Sequence, residues 1–181
     1  LGYVAAREPG LRTAIYDAAV TWGTTPGPFD CWLAERGLHT FDLRFEKAQA
    51  TAAALADALA GRDGIRQVIY PGRADHPHHN RAGTLFGGQF GNMLSFEIEG
   101  GRDEVNSFVM NAGGIPFAPT LGDVGCTLSH PASSSHRALT TEGRAALGIS
   151  EGYFRLSVGI EPSEFVLAEL DAALAAVRGE S

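Results

Sequence analysis

One continuous stretch of apolar side chains, spaced three and four residues apart, predicts a long amphipathic helix. Its positions are Phe41, Phe45, Ala48, Ala52, Leu55 and Leu59. Gly61 follows and can end the helix in left-handed backbone. Helical structure is expected to begin earlier, because Pro28 suits a first helical position and Asp30 places a negative charge in the first turn. Gly37 marks a kink or a break between two helices.

Short strands and short helices are predicted after the long helix. The strand candidates are residues 65–70, 92–98, 115–118 and 154–161. Three further helices are expected. The first starts at Asp103 and ends at Gly113-Gly114, and the second starts at Thr140 or Thr141 and ends at Gly148. The third starts at the turn 161–163. The last of them carries Phe165, Leu167, Leu170, Leu174 and Val177.

The start of the chain is expected to hold the tail of a strand at residues 1–6 and a short helix opened by Pro9 and running to about Val20. The order of elements is therefore helices first, then a small sheet with helices on one face. This order indicates an α/β fold.

Charge and cysteine content exclude several function classes. The chain of 181 residues has 14 Lys and Arg against 21 Asp and Glu, a formal net charge of -7, which argues against nucleic acid or an anionic membrane as the main partner. Cys31 and Cys126 lie far apart, so neither a disulfide framework nor a thiolate metal site is predicted, and a reducing compartment is expected. No apolar run is long enough to span a bilayer, and no signal peptide is recognised. Because the chain lacks an initiator methionine, we expect it to be part of a longer protein.

The last predicted strand carries the strongest candidate for a binding residue. Phe154, Leu156 and Val158 alternate toward one side, which leaves Arg155 and Ser157 on the other. The planar guanidinium of an arginine matches a carboxylate through two hydrogen bonds, and a strand holds that group rigidly. Arg155 is therefore either a receptor for an anionic substrate group or a surface arginine paired with an acid.

Three other clusters are weaker candidates. The histidines of segment 75–79 lack a helical i, i+4 pair and are interrupted by a proline, so a turn is predicted and no metal site. His130 and His136 flank three serines, but nothing holds a nucleophile, a base and an acid together, so polar loop packing is predicted. The glycines of segment 87–91 precede a strand, so they are interpreted as a turn and not as a phosphate cradle. Residues 119–136 follow neither period and form a candidate functional stretch.

Several short blocks stand in a characteristic order along nearly the whole chain. They are Gly27-Pro28-Phe29-Asp30-Cys31-Trp32-Leu33, Arg36-Gly37-Leu38, Tyr70-Pro71-Gly72, His76-Pro77, Leu94-Ser95-Phe96-Glu97, Leu121-Gly122-Asp123, His130-Pro131-Ala132-Ser133 and Arg155 to Glu161. In this order they resemble the C-terminal part of the Cys/Met metabolism family of pyridoxal-phosphate enzymes. That family includes cystathionine gamma-synthase and lyases, methionine gamma-lyase and the O-acylhomoserine sulfhydrylases.

The resemblance implies the C-terminal small domain of a fold-type I enzyme, with a long helix and then a small, mainly antiparallel sheet with helices on one face. Residues 1–27 would be the tail of the large cofactor-binding domain and a linker, and residues 28–181 the small domain. The cofactor, pyridoxal 5'-phosphate, would be held by a Schiff-base lysine and phosphate-binding residues upstream. Lys47 is the only lysine and lies outside any motif resembling the family's Schiff-base segment, so no catalytic residue is expected here and the chain alone is expected to be inactive.

The same resemblance implies that Arg155 binds the substrate α-carboxylate and that Thr120 lines the same pocket. The expected reaction is beta/gamma elimination or gamma replacement on a sulfur amino acid or an O-acylhomoserine, in a cytoplasmic homo-oligomer, a dimer or tetramer, that includes the large N-terminal domain. Pro119 stands where cystathionine gamma-synthases and gamma-lyases commonly carry glutamate, which weakens the resemblance to those enzymes. The blocks 121–123 and 130–136 favour the sulfhydrylases and methionine gamma-lyase. The alternative is a catalytically silent fragment that binds substrate or packs in an oligomer without cofactor.

Overall fold

Seven helices and four strands lie within residues 2–179, the part of the chain that the computed structural model describes. The helices are α1 (Pro9–Thr21), α2 (Pro28–Leu38), α3 (Phe41–Leu59), α4 (His79–Phe86), α5 (Arg102–Asn111), α6 (Thr141–Ala146) and α7 (Ser163–Arg178). The strands are β1 (Ile65–Ile69), β2 (Met93–Ile98), β3 (Thr127–Ser129) and β4 (Tyr153–Ser157).

The predicted helix starts are mostly confirmed, because they rest on local chemistry. Pro28 is the first residue of α2, and the backbone N–H of Gly27 donates to Asp30 Oδ2 over 3.2 Å. The expected break is found between α2 and α3, and Gly61, with φ of +81°, follows the end of α3. Thr140 caps α6 by accepting the N–H of Gly143 at its side-chain oxygen over 3.1 Å.

Four expectations about elements are wrong. Residues 2–6 form no strand, since no partner strand within residues 2–179 pairs with them. Asp103 does not cap α5; the cap is Gly101, two residues earlier, and Glu104 Oε2 accepts the N–H of Gly101 over 2.7 Å. In α7 the buried face includes Val166, while Phe165 is 43% exposed.

The fourth wrong expectation is the strand at residues 115–118. That segment makes only an isolated parallel bridge between Phe117 and Leu128. Pro116 has no N–H to donate, so the segment cannot extend a ladder. The strand beside it is β3, inside the stretch that was expected to follow no period.

The four strands form one antiparallel sheet in the order β1-β2-β4-β3, and the core lies on one of its faces. The core side chains of the sheet are Leu94, Phe96, Ile98, Leu128, Phe154 and Leu156, and they pack with buried residues of α3, α5 and α7. The rings of Phe96, Phe108 and Phe154 cluster with centroids 4.9 to 5.8 Å apart. Each fully buried Phe contributes about 2–3 kcal/mol. Helices on one face of a small antiparallel sheet are thus confirmed.

By the density of their contacts, residues 2–42 and the residues from Leu43 onward form two units. In the first unit, α1 and α2 bury no side chain completely. The second unit holds the sheet and the core. The expected domain boundary between residues 27 and 28 stays a prediction. No helix within residues 2–179 is long and apolar enough to cross a membrane.

Candidate functional site on the polar face of the sheet

The sheet face opposite the core is polar, and Arg155 stands at its centre. Arg155 on β4 is the cross-strand partner of Ser95 on β2 and of Ser129 on β3. Since directly paired residues of neighbouring strands project from the same face, these three side chains form one row. Ser157, Met93 and Thr127 form the next row of the same face.

The side chain of Arg155 is half-buried and has no hydrogen-bond or ion-pair partner among residues 2–179. Its Nε is buried without a hydrogen bond, and the side chain makes no ion pair with any other residue between 2 and 179. The sequence left two alternatives for Arg155, and one of them was a surface arginine paired with an acid. No such pair is found within residues 2–179. A buried donor without a partner costs about 1–3 kcal/mol, and more when charged, so such a group is typical of a position that receives an acceptor from outside.

The segment that carries Thr120 is tied to this polar face. Thr127 Oγ1 donates to the carbonyl oxygen of Thr120 over 3.3 Å, and Ser157 Oγ accepts the N–H of Gly122 over 3.1 Å. Both anchors belong to the row beside Arg155, and both are buried. Thr120 itself is exposed. The structure thus brings Thr120 and Arg155, the two predicted site residues, to the same face of the sheet.

A second anchor of this segment was not predicted from the sequence. Glu161 Oε1 accepts the backbone N–H of Cys126 over 2.7 Å, and Cys126 Sγ accepts the N–H of Gly159 over 3.1 Å. Burial raises the pKa of the Cys126 thiol to about 12, and Glu161 adds to that rise. Cys126 is therefore a neutral packing group and not a nucleophile. Glu161 lies in the same family block as Arg155, but only the folded chain shows what it holds.

His130 packs as the sequence predicts. It is 1% exposed, with Nδ1 2.9 Å from Ser133 Oγ and Nε2 2.6 Å from the carbonyl oxygen of Glu151. Ser133 Oγ also donates to the backbone oxygen of His130 over 3.3 Å. The ring's other partner is a backbone carbonyl and not a carboxylate, so no orienting acid of a nucleophile–base–acid set bonds His130 within residues 2–179. Burial lowers the pKa of His130, Arg102 and Arg144 lower it further, and the Glu151 carbonyl and carboxylate oppose the shift.

The two remaining candidate segments, 75–79 and 87–91, form turns. No group of three or more His, Cys, Asp or Glu among residues 2–179 could hold a metal ion. His76 Nδ1 accepts the N–H of His78 over 3.2 Å, and His79 Nδ1 lies 2.9 Å from the carbonyl oxygen of Pro71, so these rings shape a turn. Gly87 caps α4 in left-handed backbone with φ of +61°, which confirms a turn there.

Comparison with known proteins identifies the family. Residues 1–175 match the model of the Cys/Met metabolism PLP-dependent enzymes, and the chain belongs to that family. It is 38% identical to O-succinylhomoserine sulfhydrylase of Pseudomonas aeruginosa, covering 97% of this chain and 43% of that protein. It is also 38% identical to cystathionine beta-lyase MetC of Bacillus subtilis, covering 96% and 44%.

Solved structures agree on the fold. Cystathionine gamma synthase from Xanthomonas oryzae pv. oryzae, in complex with aminoacrylate and cysteine, superposes with a TM-score of 0.83 at 41% identity, over 98% of this chain and 46% of that one. The chain thus spans less than half the length of these relatives. Cystathionine lyases, methionine gamma-lyases and sulfhydrylases all match at between 34% and 39% identity. The expected preference for sulfhydrylases and methionine gamma-lyase therefore stays a prediction.

The enzymes of this family depend on pyridoxal phosphate. The described residues of this chain fit a group that binds the substrate better than a lysine or a phosphate-binding turn that would hold the cofactor. Lys47 is exposed on α3, where nothing desolvates its amine. The glycines at 87 and 88 end a helix and do not open one, so they aim no row of backbone N–H groups at a phosphate. The partnerless Arg155 suits a carboxylate.

Proposed function

We propose that this chain supplies the substrate-carboxylate site of a longer pyridoxal-phosphate enzyme. That enzyme would act on a sulfur amino acid or an O-acylhomoserine, by beta/gamma elimination or gamma replacement. Arg155 would receive the substrate α-carboxylate, and Thr120 would line the same pocket. The observation that carries the proposal is the buried, partnerless Nε of Arg155 on a strand of a family member.

The contribution of Arg155 would be positional. Two parallel hydrogen bonds from one guanidinium fix the direction of a carboxylate, and with it the direction of the neighbouring Cα–H bond. Pyridoxal phosphate, when bound, supplies the electron sink for carbanion chemistry at that carbon. Ser129 Oγ donates to the carbonyl oxygen of Arg155 over 3.3 Å, which ties the backbone under the guanidinium to β3.

The remainder of the site would come from outside these 181 residues. We propose that the lysine and the phosphate-binding groups belong to the large domain of the longer protein, with residues 1–27 as its tail and residues 28–181 as the small domain. The support is that the relatives are more than twice as long as the matched segment and that Lys47 is exposed. Homo-oligomeric assembly and a cytoplasmic location follow from the resemblance as further proposals.

Chemical modification of the chain tests the carboxylate site directly. Phenylglyoxal reacts with accessible, unpaired guanidinium groups, and peptide mass mapping gives the rate at each arginine. N-acetyl-L-methionine should slow the modification of Arg155, while N-acetyl-L-methioninamide, which lacks the carboxylate, should not. The exposed Arg137 serves as an internal control and should react equally in both. Equal rates at Arg155 with and without the carboxylate would overturn the proposal.

A further inference from the structure

The strands of the sheet carry more positive than negative charge. Among the residues of β1, β2, β3 and β4, only three are charged: Arg66, Glu97 and Arg155. One glutamate thus stands between two arginines. Which of the two it pairs with decides which guanidinium is left free.

Glu97 is placed within reach of Arg155. Its cross-strand partner on β4 is Tyr153, two residues before Arg155. Since side chains alternate along a strand, Glu97, Tyr153 and Arg155 project from the same polar face. Glu97 and Arg155 are therefore diagonal neighbours, a relation in which positions about 7–8 Å apart are bridged by long side chains. The Glu97 side chain is only 12% exposed, and a largely buried carboxylate is costly unless it pairs with a cation.

Arg66 takes that carboxylate. Its Nη1 lies 2.8 Å from Glu97 Oε1, while Arg155 makes no ion pair within the described residues. The pairing of β1 with β2 shifts register between Ile65 and Gln67, so Arg66 is the extra residue of an irregular strand. Such a bulge redirects a side chain, and here the redirected side chain meets Glu97.

We propose that Arg66 is a positioning residue: it holds Glu97 toward β1 and so keeps the guanidinium of Arg155 unpaired for an incoming carboxylate. The proposal rests on the proposed function of Arg155. It adds a source of binding affinity to that function. If Arg155 were paired with Glu97, a substrate carboxylate would first have to displace the Glu97 carboxylate. Arg66 itself would not touch the substrate.

Four forms of the chain test this: wild type, Arg66→Ala, Glu97→Gln and the double variant Arg66→Ala/Glu97→Gln. The first readout is the rate of phenylglyoxal modification at Arg155 without ligand. Arg66→Ala should slow it roughly two- to fivefold, the range that corresponds to an exposed or partly exposed ion pair. Glu97→Gln alone should leave the rate near wild type, and the double variant should restore it. If Arg66 were only structural, adding Glu97→Gln to Arg66→Ala would not restore the modification rate at Arg155.

The second readout is the concentration of N-acetyl-L-methionine that protects Arg155. Arg66→Ala should require a several-fold higher concentration, and the double variant should return to the wild-type value. Arg62→Ala is the matched control, because Arg62 forms another exposed ion pair, 3.2 Å from Asp171, and its loss should change neither readout. Arg66→Lys keeps the charge and should behave as wild type, which provides a folded comparison if Arg66→Ala unfolds.

The outcomes separate the two proposals. If N-acetyl-L-methionine protects Arg155 in the wild type but Arg66→Ala changes neither rate nor protection, the role of Arg66 is overturned and the carboxylate site stands. If Arg66→Ala slows the reaction of Arg155 but the wild type shows no protection, the control of Glu97 by Arg66 stands and the carboxylate site is overturned. If the double variant remains as slow as Arg66→Ala, Glu97 is not the competing group and the role of Arg66 fails.

Discussion

Thr127 and Ser157 face each other across β3 and β4, and they hold the two ends of the segment 120–122. Their side chains are buried at 4% and 1% exposure, so the segment, and not water, satisfies them. The row of Thr127 and Ser157 adjoins the row of Arg155. Any movement of the segment is therefore coupled to the strand that carries the guanidinium.

The first prediction concerns Arg155 in the longer protein. Arg155→Ala should lower kcat/KM roughly 30-fold to several thousand-fold, because removing one partner of a buried charge-assisted contact costs ~2–5 kcal/mol. Arg155→Lys keeps the charge but loses the fork, so it should recover only part of the loss. Steady-state kinetics measure both, and the cofactor absorbance should stay nearly unchanged. A near wild-type kcat/KM for Arg155→Ala would contradict the prediction.

The second prediction separates a receptor arginine from a structural one by stability. In the isolated chain Arg155→Ala should not lower the melting temperature, because no internal partner of its side chain is lost. Arg73→Ala is the matched contrast, since Arg73 bonds Asp57 over 2.9 Å and Asp75 through two nitrogens. That variant should lose about 0.5–2 kcal/mol in chemical denaturation, because both carboxylates are exposed and each ion pair contributes modestly. Equal losses for the two variants would show that Arg155 is structural.

Local chemistry explains why much of the fold could be predicted. Pro28 and Asp30 mark a helix start through effects that act within one turn, and the alternation around Arg155 depends only on the pleat of one strand. The three-residue strand β3 was missed, because its existence depends on pairing with β4, which no short stretch of sequence encodes. Asp103 was wrongly expected to cap α5, because the sequence around it does not show that the helix begins at Arg102, after Gly101.

Part of the candidate site could likewise be predicted from local sequence, and part depends on contacts between distant residues. The placement of Arg155 on the non-core face follows from alternation alone, and Thr120 followed from the family resemblance. The pairing of Glu97 with Arg66 could not be predicted, because it requires the register of β1 against β2 and the irregularity within β1. The contact of Glu161 with Cys126 joins residues 35 positions apart, and neither neighbourhood signals it.

The third prediction tests the anchor beside the site. A Cβ on Gly159 would meet the carbonyl oxygen of Val124 and lie 2.5 Å from the backbone carbon of Gly125. Backbone cannot move aside cheaply, so Gly159→Ala should destabilise the chain by about 1–3 kcal/mol. Gly113→Ala is the control, because a Cβ there meets nothing within 4 Å. Urea denaturation compares the two, and an unchanged midpoint for Gly159→Ala would refute the close approach.

The fourth prediction concerns Lys47. The chain incubated with pyridoxal phosphate and borohydride should show no more pyridoxyl adduct at Lys47 than at the N-terminal amine, since an exposed lysine has no activating environment. The chain alone should not turn over a sulfur amino acid, and Lys47→Arg should change nothing. Turnover by the wild type that Lys47→Arg abolishes would place the cofactor lysine in this chain.

The last prediction uses the pH dependence of stability that His130 imposes. Burial lowers the pKa of His130 in the folded chain below its ordinary value of 6.5. Below pH 6.5 the unfolded chain therefore binds more protons than the folded one, and stability falls as pH falls. The slope contributed by one such group approaches 1.36 kcal/mol per pH unit. The carboxyl groups with lowered pKa values, those of Asp75, Glu104 and Glu142, lose their contribution only below about pH 4.5, outside this window.

Urea midpoints of the wild type should thus change little between about pH 7.5 and about pH 6.5 and decrease between about pH 6.5 and about pH 5.5. His136→Gln should show the same slope, because His136 is the other histidine of the same loop and not the buried one. His130→Gln should be less stable at every pH, since the contacts to Ser133 and Glu151 are lost, but its midpoint should change much less with pH. A slope that survives His130→Gln unchanged would assign the pH dependence to another group and show that His130 is not held neutral by burial.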